Sequence, residues 1–245
     1  MSIAEASLSV KKTLWARIPV WVKLLAFLFI GFQFGFQWML LLYFSLSFID
    51  TIFTGGIRKI HNVYKRVTIL MMLQSLGVCA LVLTVSLLLI TYLPFLGWSW
   101  LSLLGAAGTN LATFSTRIYG WGLLFTVLFI IAIPLLAEEE EVLFRKNTLG
   151  WLPTKFSVEN GSWYDVLSLN IVFSGGIIRS ILFGITHCLI GVPLGIGFAL
   201  SIGGFWFTYQ YMKGGVERST IYHSTYNMVI SVLLILIQLI QIINP

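Results

Sequence analysis

The sequence predicts an all-α, polytopic membrane protein, a helical bundle with six membrane spans and up to eight helices. Of its 245 residues, 58% are hydrophobic and 10% are charged, whereas water-soluble domains carry about 25% charged residues. Apolar runs of roughly 20 residues, long enough for a helix to cross a bilayer, recur along the chain. Together these observations exclude a soluble globular protein and predict a single membrane-embedded domain.

The first 117 residues divide into a basic N-terminal segment, 1–23, and the N-terminal membrane helices, 24–117. The run 24–49 is too long for the core of a signal peptide and lacks a cleavage site, so we expect it to stay in the membrane. It either crosses once or forms a re-entrant hairpin. A second span is predicted over 67–93, and 95–117 is rich in Gly, Ser and Trp, as in interfacial or re-entrant stretches.

The remaining residues, 118–245, are predicted to form the membrane core that carries the candidate site. A span beginning near residue 118 leads into four consecutive glutamates, 138–141. The run 163–190 is interrupted by a Gly-Gly pair, so we expect a short helix followed by a new one. Later spans are predicted over 194–212 and 219–243.

The basic residues flank the apolar runs and form no single patch, which argues against nucleic-acid binding. The net charge of +6 suits contact with the lipid bilayer at an anionic surface. The loops 50–66, 145–164 and 213–218 fall on one side of the predicted topology and hold most of the loop cations, so this side is predicted to be cytoplasmic. The basic N-terminal segment breaks the rule if 24–49 crosses once. Cys79 and Cys188 lie within apolar runs and are predicted to be core thiols.

The glutamate cluster contains a structural carboxylate beside a functional one. Glu141 and Arg145 are four residues apart, so on a helix they share a face and can pair. Glu140 lies about 100° round the helix from Glu141, away from that partner. We therefore predict that Glu141 is structural and that Glu140 is available for chemistry, with a solvated helix end as the alternative.

Two of the three histidines, His187 and His223, lie within apolar runs. Each has a companion at helical spacing, Phe183 before His187 and Asn227 after His223. A lone intramembrane histidine is more often packed and hydrogen-bonded, but two of them beside a carboxylate pair favour function.

Sequence distance from basic residues predicts a common depth for the three chemical groups. Glu140, His187 and His223 lie five, eight and five residues from the nearest arginine. If these arginines mark one interface, the three groups lie roughly 8 to 12 Å below it. They would then meet in one cavity that opens to the basic side. The arginines concerned are Arg145, Arg179 and Arg218.

A run of small residues is predicted to draw the histidine-bearing helices together. Gly191, Gly195, Ala199 and Gly203 recur at every fourth position. Such small-residue stripes allow membrane helices to approach closely.

Three motifs in this order resemble those of the CAAX prenyl endopeptidase and bacteriocin-processing (Abi-like) family of glutamic intramembrane proteases. The resemblance covers residues 118–243, whereas 1–117 are similar only as generic membrane helices. Lys146 departs from the family pattern, which often has Gly there, and Glu138 and Glu139 are additional. The motifs are Glu140-Glu141-x-x-x-Arg145, Phe183-x-x-x-His187 and His223-x-x-x-Asn227.

The resemblance implies an intramembrane endopeptidase built as six to eight helices around a cytoplasm-facing cavity. It implies that Glu140 and His187 activate a water molecule and that His223 and Asn227 form the oxyanion hole, with no cofactor. Glu141, Arg145 and Phe183 would support the site. The expected substrate is a membrane protein or a lipidated peptide, including CAAX-type targets, in a bacterial inner or thylakoid-like membrane.

Three alternatives stay open at this point. Glu140, His187 and His223 could instead bind zinc as a two-His, one-Glu set, as in a metalloprotease. The chain could be a non-catalytic membrane assembly or chaperone partner on the same scaffold. A proton-coupled transporter fits less well because no internal repeat is visible. Neither G-x-S-x-G nor H-E-x-x-H occurs, which argues against serine hydrolases and zincins.

Overall fold

A computed structural model describes residues 56–99, 122–145, 176–190 and 192–243, with a few isolated positions between 18 and 49. These residues form five α-helices and two short 3₁₀ turns, at Pro94–Gly97 and His187–Ile190. The helices are α1 (Gly56–Tyr64), α2 (Ile69–Tyr92), α3 (Gly122–Phe144), α4 (Gly176–Thr186) and α5 (Leu194–Ile243).

Several predicted segments lie outside the described residues. The basic segment 1–23 and the run 24–49 fall almost wholly outside them, and so does 100–117. The first part of the run 163–190 is also outside, so the predicted interruption lies at the edge of the described residues, which continue as the helix Gly176–Thr186.

The span predicted over 67–93 is present as α2. Its N-terminus is capped by Thr68, whose side-chain oxygen accepts a hydrogen bond from the backbone N–H of Met71 at 3.3 Å. It ends before Pro94, which has no backbone N–H to continue the hydrogen-bond ladder. This helix is long and apolar enough to span a membrane.

The side chains of α2 are arranged inside out relative to a helix of a water-soluble protein. The residues turned towards the rest of the protein are small or polar, whereas those turned outwards are large and apolar. In water the bulky leucines would be the ones to bury. The inward residues are Ser75, Cys79, Val82 and Ser86. The outward residues include Leu70, Leu73, Leu81, Leu83 and Leu87.

The prediction of six spans and up to eight helices is wrong for the part of the chain that the structure describes. Among these residues one helix, α2, has the length and composition of a membrane span. The 11 residues of α4 are too few, because crossing about 30 Å of hydrocarbon takes roughly 20 residues. The 50-residue α5 carries charged side chains at its middle, and α3 carries four glutamates near its end.

The long element α5 is a helical hairpin. The backbone leaves helical geometry at Gly214 and Gly215, and Gly215 has φ 67°, which glycine adopts most readily. Across this break Ser219 Oγ donates to the carbonyl of Phe207 at 3.1 Å, although 12 residues of straight helix would span about 18 Å. The chain therefore reverses, and residues 194–213 (arm α5a) lie against residues 216–243 (arm α5b).

Close packing between α4 and α5a uses a different set of small residues from the predicted stripe. A Cβ added at Gly184 would lie 2.3 Å from the Gly197 carbonyl oxygen, and one at Gly204 would lie 2.4 Å from that of Ser180. At Gly203, which belongs to the predicted stripe, an added Cβ would only contact the Phe207 ring at 3.6 Å. The two helices thus touch backbone to backbone on a neighbouring face of α5a.

Candidate functional site

A buried carboxylate, Glu141 of α3, is the centre of the site. Its side chain is fully buried and accepts a hydrogen bond from Arg145 Nη1 at 3.1 Å, so the predicted pair is present. His223 Nδ1 lies 2.9 Å from the same oxygen, Oε1, and Ser219 Oγ donates to Oε2. Since a buried charge is tolerated only when it is paired and hydrogen-bonded, these three donors keep Glu141 ionised within the protein.

Arg145 connects this carboxylate to the helices around it. Its Nη2 donates to the carbonyl of Gly204 in α5a at 2.9 Å. The guanidinium carbon lies 4.7 Å from the centroid of the Phe183 ring and 5.8 Å from that of Phe207. With the Phe144 ring at 6.0 Å as well, Arg145 is held by one ion pair, one carbonyl and three aromatic rings, whose faces attract a cation electrostatically.

His223 of α5b lies between two adjacent carboxylates. Its Nδ1 is 2.9 Å from Glu141 Oε1, and its Nε2 is 3.6 Å from Glu140 Oε2. The Phe207 ring stacks on the imidazole with centroids 4.2 Å apart and an angle of 19°. Contact with ionised Glu141 favours the hydrogen on Nδ1. The Nε2 of a neutral ring then faces Glu140 with its lone pair, at 3.6 Å, which is longer than a hydrogen bond.

Glu140 is the more accessible of the two carboxylates. Its side chain is 36% exposed, whereas that of Glu141 is 0% exposed. One of its oxygens, Oε2, is nevertheless buried without a hydrogen bond. An unsatisfied buried oxygen of this kind calls for an explanation, and a chemical role is one of them.

His187 has a defined tautomer from its local structure. It begins the 3₁₀ turn after α4, and its Nδ1 lies 2.7 Å from the backbone oxygen of Phe183. Because a carbonyl only accepts, Nδ1 carries the hydrogen and Nε2 of the neutral ring keeps its lone pair. The Phe183 ring contacts both imidazoles, with centroids 4.9 Å from His187 and 5.3 Å from His223.

Asn227 lies one helical turn after His223 on α5b and is half-buried. Its backbone carbonyl accepts a hydrogen bond from Ser231 at 2.8 Å. Among the described residues, no hydrogen bond joins its side-chain amide to Glu140, His187 or His223. The structure therefore brings Glu140, Glu141, Arg145 and His223 into direct contact and connects His187 to them through Phe183.

The three arginines do not mark a common interface, contrary to the prediction from the sequence. Arg145 and Arg179 are buried, with 1% and 0% of their surface exposed, so neither marks an interface. Arg218 is exposed and donates from Nε to Gln210 at 2.9 Å. Glu140 and His223 nevertheless lie side by side, because α3 and α5b pack together.

Three residues of the site were missed by the sequence analysis. Ser219 and Phe207 contact Glu141 and His223 only because α5 reverses, and the visible signal was the Gly-Gly pair at the break. Arg179 donates from Nη1 to the backbone oxygens of Phe144 at 2.9 Å and Arg145 at 3.5 Å. It therefore caps the C-terminal end of α3, where free carbonyls favour a cation.

Within the described residues, no three His, Cys, Asp or Glu side chains are arranged to hold a metal ion. Comparison with protein-family models, curated protein sequences and solved structures finds no match for this chain. The likeness to glutamic intramembrane proteases therefore depends on the three motifs and on the chemistry of the site they form.

Proposed function

We propose that the chain is a membrane-embedded glutamic endopeptidase that cleaves a peptide bond near the cytoplasmic face of a bacterial inner or thylakoid-like membrane. The observation that supports this proposal best is the position of His223, whose two ring nitrogens face Glu140 and Glu141. A buried, ionised Glu141 orients the imidazole through Nδ1, and Glu140, which is 36% exposed, lies beside Nε2. This is the arrangement expected of general acid–base chemistry.

The roles of Glu140, His187 and Asn227 follow the motif resemblance. His223, which the resemblance assigns to the oxyanion hole, is given an orienting role here because its Nδ1 faces Glu141. His187 Nε2, with its lone pair, and Glu140 are the groups that accept a proton from water. The same base, once protonated, supplies the proton that a leaving amine needs. Asn227 provides the amide N–H for the developing oxyanion, a type of interaction that contributes about 3 kcal/mol when a donor is removed from an oxyanion hole.

The proposed reaction has two steps. The oxygen of water attacks the peptide carbonyl carbon while its proton passes to the Glu140 and His187 base, and the carbonyl π electrons move to oxygen, which Asn227 stabilises. The C–N bond then breaks, the oxyanion re-forms a carbonyl, and the leaving nitrogen takes that proton back from the Glu140 and His187 base. One water is consumed, and one peptide bond becomes a carboxylic acid and an amine.

The substrate class belongs to the same proposal. A site that belongs to a membrane-embedded protein would take a membrane protein or a lipidated peptide, of which a CAAX-type C-terminus is one kind. The apolar rings of Phe183 and Phe207 beside the polar groups suit a chain entering from hydrocarbon, since water near the reacting atoms is then restricted.

The test compares cells that carry wild-type protein with cells that carry Glu140→Gln, a nearly isosteric change that removes the base. Mass spectrometry of the termini of membrane proteins should reveal at least one protein that accumulates uncut in the variant. Purified wild-type protein should cut that candidate in detergent, and Glu140→Gln should be slower by about 10²-fold or more, the usual contribution of a general base.

Glu138→Gln is the matched control, because Glu138 belongs to the same cluster but pairs with Lys59 at 2.5 Å. It should leave processing intact. If Glu140→Gln leaves all termini unchanged while deletion of the protein perturbs a membrane complex, the site is not proteolytic. The non-catalytic assembly partner would then be the better interpretation.

A further inference from the structure

The first helix, α1, has three faces with different partners. Gly56 and Ile60 are buried, and Tyr64 donates from its hydroxyl to the backbone oxygen of Ile130 in α3. Lys59 pairs with Glu138 at 2.5 Å, and Arg66, just beyond the helix, pairs with Glu217 of α5b. These contacts fix α1 and the following turn against α3 and α5b.

The third face of α1 is basic and exposed. Arg58, His61 and Lys65 are exposed, and their spacings of three and four residues place them on one side of the helix. The neighbouring acidic side chains Glu138 and Glu217 are already paired with other cations. Among the described residues, no carboxylate pairs with Arg58 or Lys65, so this face keeps an uncompensated positive charge.

The position of this face in the chain indicates what it meets. Lys65 precedes the first residue of α2 by four positions, and that residue, Ile69, is 77% exposed. Ile57, beside Arg58, is also apolar and 60% exposed. Cations beside exposed apolar side chains, at the end of a helix long enough to span a membrane, are typical of a segment at the level of lipid headgroups.

We propose that the basic face of α1 (Arg58, His61 and Lys65) binds the headgroups of anionic phospholipids. The inference uses the membrane placement of α2 that belongs to the proposed function, but it is independent of any proteolytic activity. Headgroup phosphates would take the two free cations, and Ile57 would enter the outer edge of the hydrocarbon. Lys59 and Arg66 would keep α1 attached to α3 and α5b while it does so.

The experiment measures hydrogen–deuterium exchange of residues 56–66 in the full-length protein reconstituted in lipid nanodiscs. Discs of pure phosphatidylcholine are compared with discs that contain phosphatidylglycerol. Each lysine or arginine near an anionic membrane surface contributes about 1 kcal/mol, or roughly fivefold. We therefore expect exchange in this segment to be about 5- to 25-fold slower with phosphatidylglycerol, an effect that shrinks as salt is raised.

Two double variants separate charge from structure. Arg58→Gln with Lys65→Gln should lose the difference between the two lipids, whereas Arg58→Lys with Lys65→Arg should keep it. Exchange of α5 peptides, which should be unchanged in both variants, reports that the fold is intact. If exchange of the α5 peptides changes in the glutamine variant, the test is made on wild-type protein instead. The difference in exchange between the two lipids must then shrink as salt is raised.

Four results would overturn the proposal. The first is equal exchange of wild-type residues 56–66 in the two lipids, and the second is a lipid difference that survives in the glutamine variant. The third is full protection by millimolar inorganic phosphate in phosphatidylcholine discs, which would indicate a soluble-anion site. The fourth, a chain that stays monodisperse in water without detergent and does not enter discs, would remove the membrane placement as well. Loss of peptide cleavage alone would leave the lipid proposal standing.

Discussion

At the scale of single residues, the site is a set of charges that is stable only as a whole. Glu141 has three hydrogen-bond donors, and Arg145 has a carboxylate, a carbonyl and aromatic rings as partners. Removing one member of such a buried pair leaves the other charge uncompensated, which costs more than the pair itself contributes.

We expect Arg145→Met to destabilise the protein strongly, by about 3 to 5 kcal/mol, because Glu141 would remain buried without its cation. Glu141→Gln combined with Arg145→Met should recover most of that loss, since no buried charge is then unpaired. The measurement is the unfolding free energy in mixed micelles titrated with dodecyl sulfate. A single variant as stable as wild type, or a double variant worse than the single, would contradict the assignment.

Exchanging the two charges should not rescue folding, although the four-residue spacing alone would predict rescue. In the structure Arg145 donates to the Gly204 carbonyl at 2.9 Å, and Glu141 receives Ser219 and His223. A glutamate at 145 would face that carbonyl with an acceptor, and an arginine at 141 would face the donor of His223. Local spacing predicted the pair, but the orientation of the pair is fixed by partners 59 to 82 positions away.

The proposed roles also predict metal independence. In them Glu140 and His187 activate the water directly, and among the described residues no three His, Cys, Asp or Glu side chains are arranged to hold a metal ion. We therefore expect that treatment with a strong chelator leaves cleavage of the substrate from the termini screen unchanged. The assay uses purified protein in detergent, with a zinc protease as the positive control for chelation. Activity that is lost to chelation and restored by zinc would make Glu140, His187 and His223 ligands instead.

At the scale of helices, the hairpin of α5 creates the site. It brings Phe207 onto His223 with centroids 4.2 Å apart and puts Ser219 beside Glu141. The two apolar runs and the charged, glycine-containing segment between them were visible in the sequence. The direction in which the second arm returns was not, because it depends on the non-helical backbone at Gly214 and Gly215.

The contact between α4 and α5a also depends on which face of α5a is used. Small residues at every fourth position predicted that two helices approach each other closely. Such an approach occurs between α4 and α5a, but through Gly184, Gly197 and Gly204. The sequence has small residues on adjacent faces of α5a, so periodicity alone could not select among them. Packing against α4 selects the face in the folded protein.

This choice of face predicts opposite outcomes at two neighbouring glycines. Gly204→Ala would bring a methyl group to 2.4 Å from the Ser180 carbonyl oxygen, so we expect a loss of about 1 to 3 kcal/mol, as for other overpacked cores. Gly203→Ala meets only the Phe207 ring at 3.6 Å and should be neutral or gain up to about 1 kcal/mol of helix propensity. Unfolding free energies of the two variants, measured side by side, test this, and equal losses would mean that α4 does not pack on Gly204.

At the scale of the whole molecule, the sequence predicted the bounds of one apolar helix, α2, better than it predicted the number of membrane spans. The span over 67–93 was placed to within two residues at its start and one at its end, because a threonine cap and a proline stop are local signals. The count of six failed over the described residues because an apolar run does not reveal how long its helix is, and α4 has only 11 residues. The first 55 residues lie almost wholly outside the described part.

The inside-out composition of α2 yields a test of its environment. Leu81 lies near the middle of the helix and is 50% exposed, whereas Tyr92 lies at its end and is 76% exposed. In a bilayer, Leu81→Lys should cost about 3 kcal/mol because a lysine at the centre of a span is poorly solvated. Tyr92→Lys should cost far less, since the ammonium group of a terminal lysine can extend to the headgroups.

The measurement is the unfolding free energy of each variant in lipid bicelles, with Leu81→Ile as the control for shape. If α2 instead faced water, both lysines would be ordinary surface substitutions, each within about 0.5 kcal/mol of wild type. The informative quantity is therefore the difference in unfolding free energy between lysine at position 81 and lysine at position 92. A cost that came from altered packing alone would also be measured for Leu81→Ile. A large cost at position 81 with a small cost at position 92 would show that the leucine face of α2 contacts hydrocarbon, and equal, small costs would place it in water.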